Sequence, residues 1–302
     1  MGDKQWSVYF QNPDYLERTR MFLVPAEMQP LVRRWCGLED GMRILDVGAG
    51  TGYFTRFLAS GEQKITAVGV DRDEVFVRYA REKAAAEGLP IEYVSGDALA
   101  LPFEDKSFDL VASHTFFTSI PDPAKAMAEM QRVLRPGGIV AAVTCMDFDP
   151  EVQEVGRYPA ECGWLEDFNR LFLKFYDACF EIDPLEPRMD GLNPALLPRF
   201  FAESGLKSVS AYPLGKLFSL SSAAVPREEK LLYLDLFESS EIKKLDAWMA
   251  LPEMRERFTE EEAAEYRRLI REKCDWRRKN LDENTVWEWL GGANLLVTGR
   301  KV

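Results

Sequence analysis

The chain has 302 residues, 46% hydrophobic and 29% charged, the proportions of a folded globular protein. Its 38 Lys and Arg against 50 Asp and Glu leave a net charge of -12, the wrong sign for a surface that must neutralise many phosphates, so nucleic-acid and acidic-membrane partners are disfavoured. No apolar run approaches the roughly 18 residues of a membrane span, and Met1-Gly2-Asp3-Lys4 carries neither a signal-peptide pattern nor a myristoylation pattern, which leads us to expect a cytoplasmic protein.

In chain order, residues 1–40 read as an N-terminal helical segment with one short helix from Asp14 to Phe22. From residue 41 to 147 short apolar runs alternate with amphipathic segments, the pattern of βα units feeding a parallel sheet. The predicted strands are Arg43 to Val47, Ile65 to Val70, Ile91 to Val94, Phe108 to Ser113 and Ile139 to Cys145. Helices are predicted from Asp73 to Glu87 and from Pro123 to Leu134, the second stopped by Pro136-Gly137-Gly138.

Residues 148–192 and 219–283 show helical periodicity without alternating strands, and read as two helical insertions forming a cap. The second holds a capping box, Thr259 with Glu262. Between them, residues 193–218 continue the core with a helix from Pro194 to Ser204 and a strand from Ser208 to Tyr212; residues 284–302 close it with a terminal strand, both at the sheet's far edge. The basic run from Arg267 to Lys279 is interleaved with Glu272 and Asp275 at helical spacing, as a solvated face would be. The five cysteines are scattered without a CxxC pair, and only one histidine accompanies them, so no metal site is expected and the thiols read as small buried hydrophobes.

The chemistry is concentrated in Ile44 to Gly52, ILDVGAGTG, where a strand ends in Asp46 and a glycine-rich turn leads into a helix. Such a turn lets the backbone approach a ligand closely and offers it free amides. The dinucleotide fingerprint GxGxxG would put its third glycine at position 53, which is Tyr53, so the register here is instead DxGxGxG. Asp71 ends the second strand and Asp97, in Ser95-Gly96-Asp97-Ala98, follows the third.

These residues, together with Phe108-Asp109-Leu110-Val111 and Arg132-Val133-Leu134-Arg135-Pro136-Gly137-Gly138, resemble the ordered motifs of class I S-adenosylmethionine (SAM)-dependent methyltransferases, in the style of the type 11 small-molecule enzymes such as those of menaquinone biosynthesis. The resemblance covers about residues 40–147 and does not reach the insertions. It implies an α/β fold, a Rossmann-like seven-stranded mostly parallel sheet flanked by helices, to which the helical periodicity of residues 148–192 and 219–283 adds helical cap insertions. It implies SAM as cofactor and S-adenosylhomocysteine (SAH) as product. It assigns Asp46, Gly48, Ala49, Gly50, Thr51 and Gly52 to the methionyl side, Asp71 with Arg72 to the ribose, Asp97 and Ala98 to the adenine, and Ser113 to the cofactor edge.

Methyl transfer from a sulfonium is an in-line displacement that needs positioning more than an obligatory catalytic side chain. The single histidine, His114, follows the fourth strand and is either a general base or an imidazole packed beside the cofactor. Its loop should line a substrate pocket through Thr115, Phe116 and Phe117, and its sequence SIPDP lacks the [ND]PP[YF] signature of many amino-group methyltransferases. In the first insertion Trp164, Phe168 and Phe172 begin an aromatic stripe readable as core or as a lid over an apolar pocket. The expected partner is a small-molecule methyl acceptor, with the protein a monomer or homodimer; a non-catalytic SAM-binding regulator and an NAD-dependent oxidoreductase are the competing readings.

Overall fold

The computed structural model describes residues 5–61, 64–146, 154–156, 162–183, 192–214, 218–223, 225–281, 286–290 and 293–302. The start at Met1-Gly2-Asp3-Lys4 and parts of the first predicted insertion, 147–153, 157–161 and 184–191, lie outside them. The helices are α1 (Trp6–Tyr9), α2 (Pro13–Leu23), α3 (Gln29–Trp35), α4 (Tyr53–Ala59), α5 (Glu74–Ala86), α6 (Pro123–Val133), α7 (Trp164–Ile182), α8 (Leu197–Glu203), α9 (Arg227–Met249), α10 (Pro252–Arg255) and α11 (Glu260–Lys279). The strands are β1 (Arg43–Val47), β2 (Thr66–Asp71), β3 (Glu92–Ser95), β4 (Phe108–His114), β5 (Leu134–Met146), β6 (Glu154–Gly156), β7 (Lys207–Leu214), β8 (Phe218–Ser219), β9 (Val286–Leu290) and β10 (Ala293–Arg300).

The chain divides into two compact units: residues 19–147, 186–216 and 291–302 form one, and residues 1–18, 148–185 and 217–290 the other. In the first, seven strands form a sheet in the order β3-β2-β1-β4-β5-β10-β7. The first five run parallel, and β10 is antiparallel to both of its neighbours. Leu45, Val47, Val68 and Val111 are buried on one face of the central strands, and Ile44, Leu110, Ala112 and Val143 on the other. Residues apolar on both faces are what a parallel sheet covered on two sides requires.

The two late strands lie together at the far side of the sheet: β10 inserts between β5 and β7, with Leu296 and Val297 fully buried, and β7 is the edge. One helix boundary differs from expectation. Helix α6 ends at Val133, before the Pro136-Gly137-Gly138 turn, because Leu134 already pairs with Phe108; the register then shifts so that Leu110 pairs with Ile139. The first insertion, expected to be predominantly helical, also contains the strand β6, and β9, which follows the second insertion, pairs antiparallel with β6 and with β8. Each of these strands has five residues or fewer, too short to show a period in the sequence.

The second unit packs α7, α9 and α11 around Phe168, Phe175, Leu245, Trp248 and Tyr266. Helix α11 begins with the predicted capping box, in which the Glu262 amide donates to Thr259 Oγ1 at 3.2 Å and the Thr259 amide to Glu262 Oε2 at 3.0 Å. Its first turn is acidic and its last basic, complementing the helix dipole. The basic run is paired, Arg268 with Glu265 and Glu272, and Arg278 with Asp235, Glu238 and Asp275.

Candidate active site

The carboxyl ends of β1, β2, β3 and β4 lie side by side. In register, Asp46 sits beside Gly69 of β2 and Ala112 of β4, and Asp71 beside Ser95 of β3. The chain proceeds from β1 through β2 to β3 on one side, then crosses to β4 on the other, so the sheet reverses its winding between β1 and β4. That is where an open α/β sheet leaves a crevice for a ligand.

The loop from Gly48 to Gly52 is fastened to β2. The Gly48 and Ala49 amides both donate to the Val70 carbonyl, at 2.9 and 3.0 Å. The Gly50 amide donates to Asp71 Oδ2 at 2.8 Å and the Asp73 amide to Oδ1 at 2.9 Å, which fixes the plane of that carboxylate and leaves each oxygen a further lone pair. Gly48 has φ +70°, and a Cβ there would lie 2.5 Å from Cδ2 of Phe116. Both facts require glycine. Beneath the loop, Tyr93 donates its hydroxyl to the Gly52 carbonyl at 3.2 Å, and its ring leaves no room for a Cβ at Gly69.

Asp46 is buried. Thr55 Oγ1 donates to its Oδ2 at 2.6 Å, while Oδ1 has no partner among the described residues. Burial, offset by the Thr55 hydrogen bonds and reinforced by the charge of Asp71, pushes its carboxyl up to about 7. The Asp71 carboxyl is likewise raised, chiefly by burial, against the lowering effect of the two amides it accepts. Thr51 Oγ1 is also buried and unpartnered. Asp97 is exposed, its Oδ1 accepting from the Leu99 amide at 2.9 Å, with Ala98 half-buried beside it and Arg72 exposed after Asp71.

A glycine cradle that excludes side chains and a buried carboxylate with an orphan oxygen fit a ligand that carries a positive charge close to its nucleoside. The amino acid half of SAM meets that description with its ammonium and sulfonium. The Asp71 carboxylate adds two acceptor oxygens at the end of the next strand.

Ser113 and His114 end β4. The Ser113 hydroxyl and both imidazole nitrogens are buried without hydrogen-bond partners among the described residues. Burial, together with the positive charge of Arg20, pulls the imidazole well below its ordinary range, so the ring is neutral at physiological pH. A lowered proton affinity makes this ring a weaker base than a free imidazole. Thr115 follows at φ +49°, an unusual conformation for a threonine, and its Oγ1 donates to the His114 carbonyl at 2.8 Å.

Of the expected pocket residues, Thr115 and Phe116 remain half-exposed at this edge. Phe117 does not: it is buried in the core against Phe200 and Phe201, with ring centroids 5.5 and 6.2 Å away. Trp164, Phe168 and Phe172 belong to the helical unit, where Phe168 is buried against Tyr266 and stacks on Phe172, so that the stripe builds this unit's core. Sequence reasoning missed Tyr93, Thr55 and Arg20. Thr55 sits nine residues after Asp46, one turn into α4, and that spacing was the available signal.

Such a sheet, with a glycine loop at one strand end and carboxylates at the next two, defines a nucleoside-binding α/β domain of the Rossmann-like class. Comparison with known proteins narrows it. The family model described as "Methyltransferase domain" matches residues 45–142. The demethylmenaquinone methyltransferase of Deinococcus radiodurans is 40% identical over 108 residues, which cover 36% of this chain and 44% of that protein. The Bacillus pumilus protein of the same name is 27% identical over 206 residues, 68% of this chain and 87% of that one. An uncharacterized protein of Mycobacterium tuberculosis is 34% identical over 127 residues. The chain spans 46% of the Mycobacterium and 44% of the Deinococcus relative. The solved structure of Haemonchus contortus phosphoethanolamine N-methyltransferase 2 in complex with SAM shares the fold, with a TM-score of 0.51 at 17% identity over 98% of this chain and 59% of that one. Residues 45–142 thus match the methyltransferase domain family, and the matched stretch carries the glycine loop, Asp46, Asp71 and Asp97.

Proposed function

We propose that this chain transfers a methyl group from SAM to a small-molecule acceptor. The observation that carries the reading is the buried Asp46 carboxylate, whose Oδ1 has no partner among the described residues, set beside a glycine loop that Asp71 holds in place, all within the matched domain. In this reading Asp46 and the Gly48 to Gly52 loop hold the methionyl portion, Asp71 accepts from the ribose hydroxyls, and Asp97 with the Ala98 amide meets the adenine. When bound, SAM supplies a methyl group already activated by the sulfonium, so the residues of this chain have to orient it and exclude water. Neutral, unpartnered His114 and the aromatic face of Phe116 are suited to that task at the β4 edge. The net charge of -12 supports a small molecule over nucleic acid as acceptor.

The test is calorimetric titration of the pure protein with SAH, followed by transfer of labelled methyl from SAM to a panel of phenols, carboxylates, amines and thiols. Saturable SAH binding that Asp71→Ala abolishes, with label appearing in one acceptor class, is the expected result. No heat of binding at high micromolar SAH would sink the proposal, as would stabilisation of the protein by NADH alone.

A further inference from the structure

Resting on the methyltransferase reading, we infer that Arg20 is the anion-binding side chain of the acceptor site, and that the acceptor presents an oxyanion there, as a carboxylate or an ionised phenol or enol. Arg20 lies in the last turn of α2. The end of that helix is pinned over the carboxyl edge of the sheet at two points: Asn294 Nδ2 of β10 donates to the Leu23 carbonyl at 3.1 Å, and Tyr53 Oη of α4 to the Val24 carbonyl at 2.6 Å. Neither carbonyl therefore depends on the guanidinium as a cap.

Leu23 and Val24, the next turn on from Arg20, pack with Ala112 of β4 and Val143 of β5, so Arg20 brings its charge to these strand ends, where it acts on His114, the last residue of β4, and is acted on by Cys145 near the end of β5. No described carboxylate or carbonyl pairs with the guanidinium. Among the described residues, both His114 nitrogens and the Ser113 hydroxyl stand buried and unpartnered at the same strand ends, as does Oδ1 of Asn294, which sits opposite Cys145 in the sheet register. A charge that gives up part of its hydration without a partner is costly, and a guanidinium fork beside neutral donors is built for a planar oxyanion.

Position decides which anion this is. The nucleoside elements, the glycine loop, Asp71 and Asp97, lie on the β1, β2 and β3 side of the crevice, whereas His114, Cys145 and Asn294, with the end of α2 that Asn294 holds, lie on the β4, β5 and β10 side. The second side is the acceptor's. An acceptor already ionised also makes a base unnecessary: its oxygen-borne electron pair forms the bond to the methyl carbon, the carbon–sulfur bond breaks with its pair passing to sulfur, and anion and sulfonium yield two neutral centres with no proton moved.

The experiment titrates the full chain, saturated with SAH, with benzoate and with benzamide as its neutral isostere, both followed by calorimetry. We expect benzoate to bind at least about tenfold more tightly than benzamide, and Arg20→Met to remove that preference while changing SAH affinity by less than about twofold. Arg20→Lys should keep part of it, and tests the charge if the Met variant fails to fold. A second readout is the absorbance of bound 4-nitrophenol: the wild type should hold it as the phenolate at a pH where the Met variant does not. Equal affinity for benzoate and benzamide in the wild type, or benzoate affinity untouched by Arg20→Met, overturns the inference. So does a parallel loss of SAH affinity, which would put the guanidinium on the carboxylate of the methionyl group. If the wild type bound no SAH the methyltransferase reading would fail, and the same benzoate and benzamide comparison on the free protein would still decide whether Arg20 holds an anion.

Discussion

Thr55 Oγ1 donates to one oxygen of Asp46 at 2.6 Å, and the other has no partner among the described residues. The single hydroxyl only partly offsets burial, and the carboxyl sits at about 7 rather than near its ordinary 3.8. Because the folded-state value is raised, this group's contribution to stability is complete below pH ~4 and is lost as the pH rises through ~7, by at most about 4 kcal/mol. Thermal melts of the free protein should show that loss between those limits, and Asp46→Asn should flatten it.

The same titration couples to the ligand. A cationic methionyl group calls for ionised Asp46, so SAH affinity should fall as the pH drops below ~7, by up to about tenfold per unit, and level off above it. Calorimetry in two buffers of different ionisation enthalpy reads the accompanying proton release near pH 6. Thr55→Val should move the midpoint upward, and an affinity flat from pH 5.5 to 8 in the wild type would contradict the assignment of Asp46 to the ammonium.

Two glycines separate the loop's roles. At Gly69 only space is at issue, since a Cβ would meet the Tyr93 ring at 2.5 Å. Gly69→Ala should cost about 1–3 kcal/mol of stability and be largely relieved by Tyr93→Ala in the double variant. At Gly48 the positive φ adds about 1–2 kcal/mol for any side chain, and the clash is with Phe116, so Phe116→Ala should relieve Gly48→Ala only in part. Denaturant melts measure both, and Gly48→Ala should also weaken SAH.

What was legible in the sequence follows from the range of the interactions. Asp46, the glycine turn and α4 are consecutive, so their register alone marks the site; the same is true of Thr259 and Glu262. The position of β10 between β5 and β7 depends on antiparallel pairing of Leu296 with Val143 and Tyr212, residues far apart in the chain, and no local pattern encodes it. Tyr93 reads as an ordinary strand aromatic until the fold brings it under Gly52. Phe117 and Phe116 are adjacent with identical side chains, yet one turns into the core and the other toward Gly48, a choice made by the left-handed residue Thr115 and the packing of Phe200. Arg20 belongs to no motif.

In the helical unit, Lys244 donates to Glu241 and to the Tyr176 hydroxyl, and all but Tyr176 are nearly inaccessible. Removing one charge leaves its partner buried and unpaired, so Lys244→Met should destabilise by about 3–5 kcal/mol. Replacing both with Met and Leu should cost much less, because the desolvation penalty disappears along with the attraction. Urea unfolding of the two single variants and the double variant closes the cycle; additive losses would show that the pair is not coupled.

His114 supplies the sharpest kinetic contrast. A general base contributes about 10²–10⁴-fold to the rate and imprints its titration on the pH profile. Here burial comes first and the Arg20 charge second in pulling the imidazole well below its ordinary range, which moves its protonation change away from neutral pH. With whichever acceptor the labelling assay identifies, His114→Asn should therefore lower kcat by less than about tenfold and leave the shape of the kcat/KM profile unchanged. The effect should be on KM, through the lost contact with Phe54, whose ring centroid lies 5.3 Å from the imidazole and which is itself buried. A loss of about 10³-fold or more with a vanished acidic limb would restore the histidine as base. In that event the acceptor arrives protonated, and the Arg20→Met comparison of benzoate with benzamide should show no preference to lose.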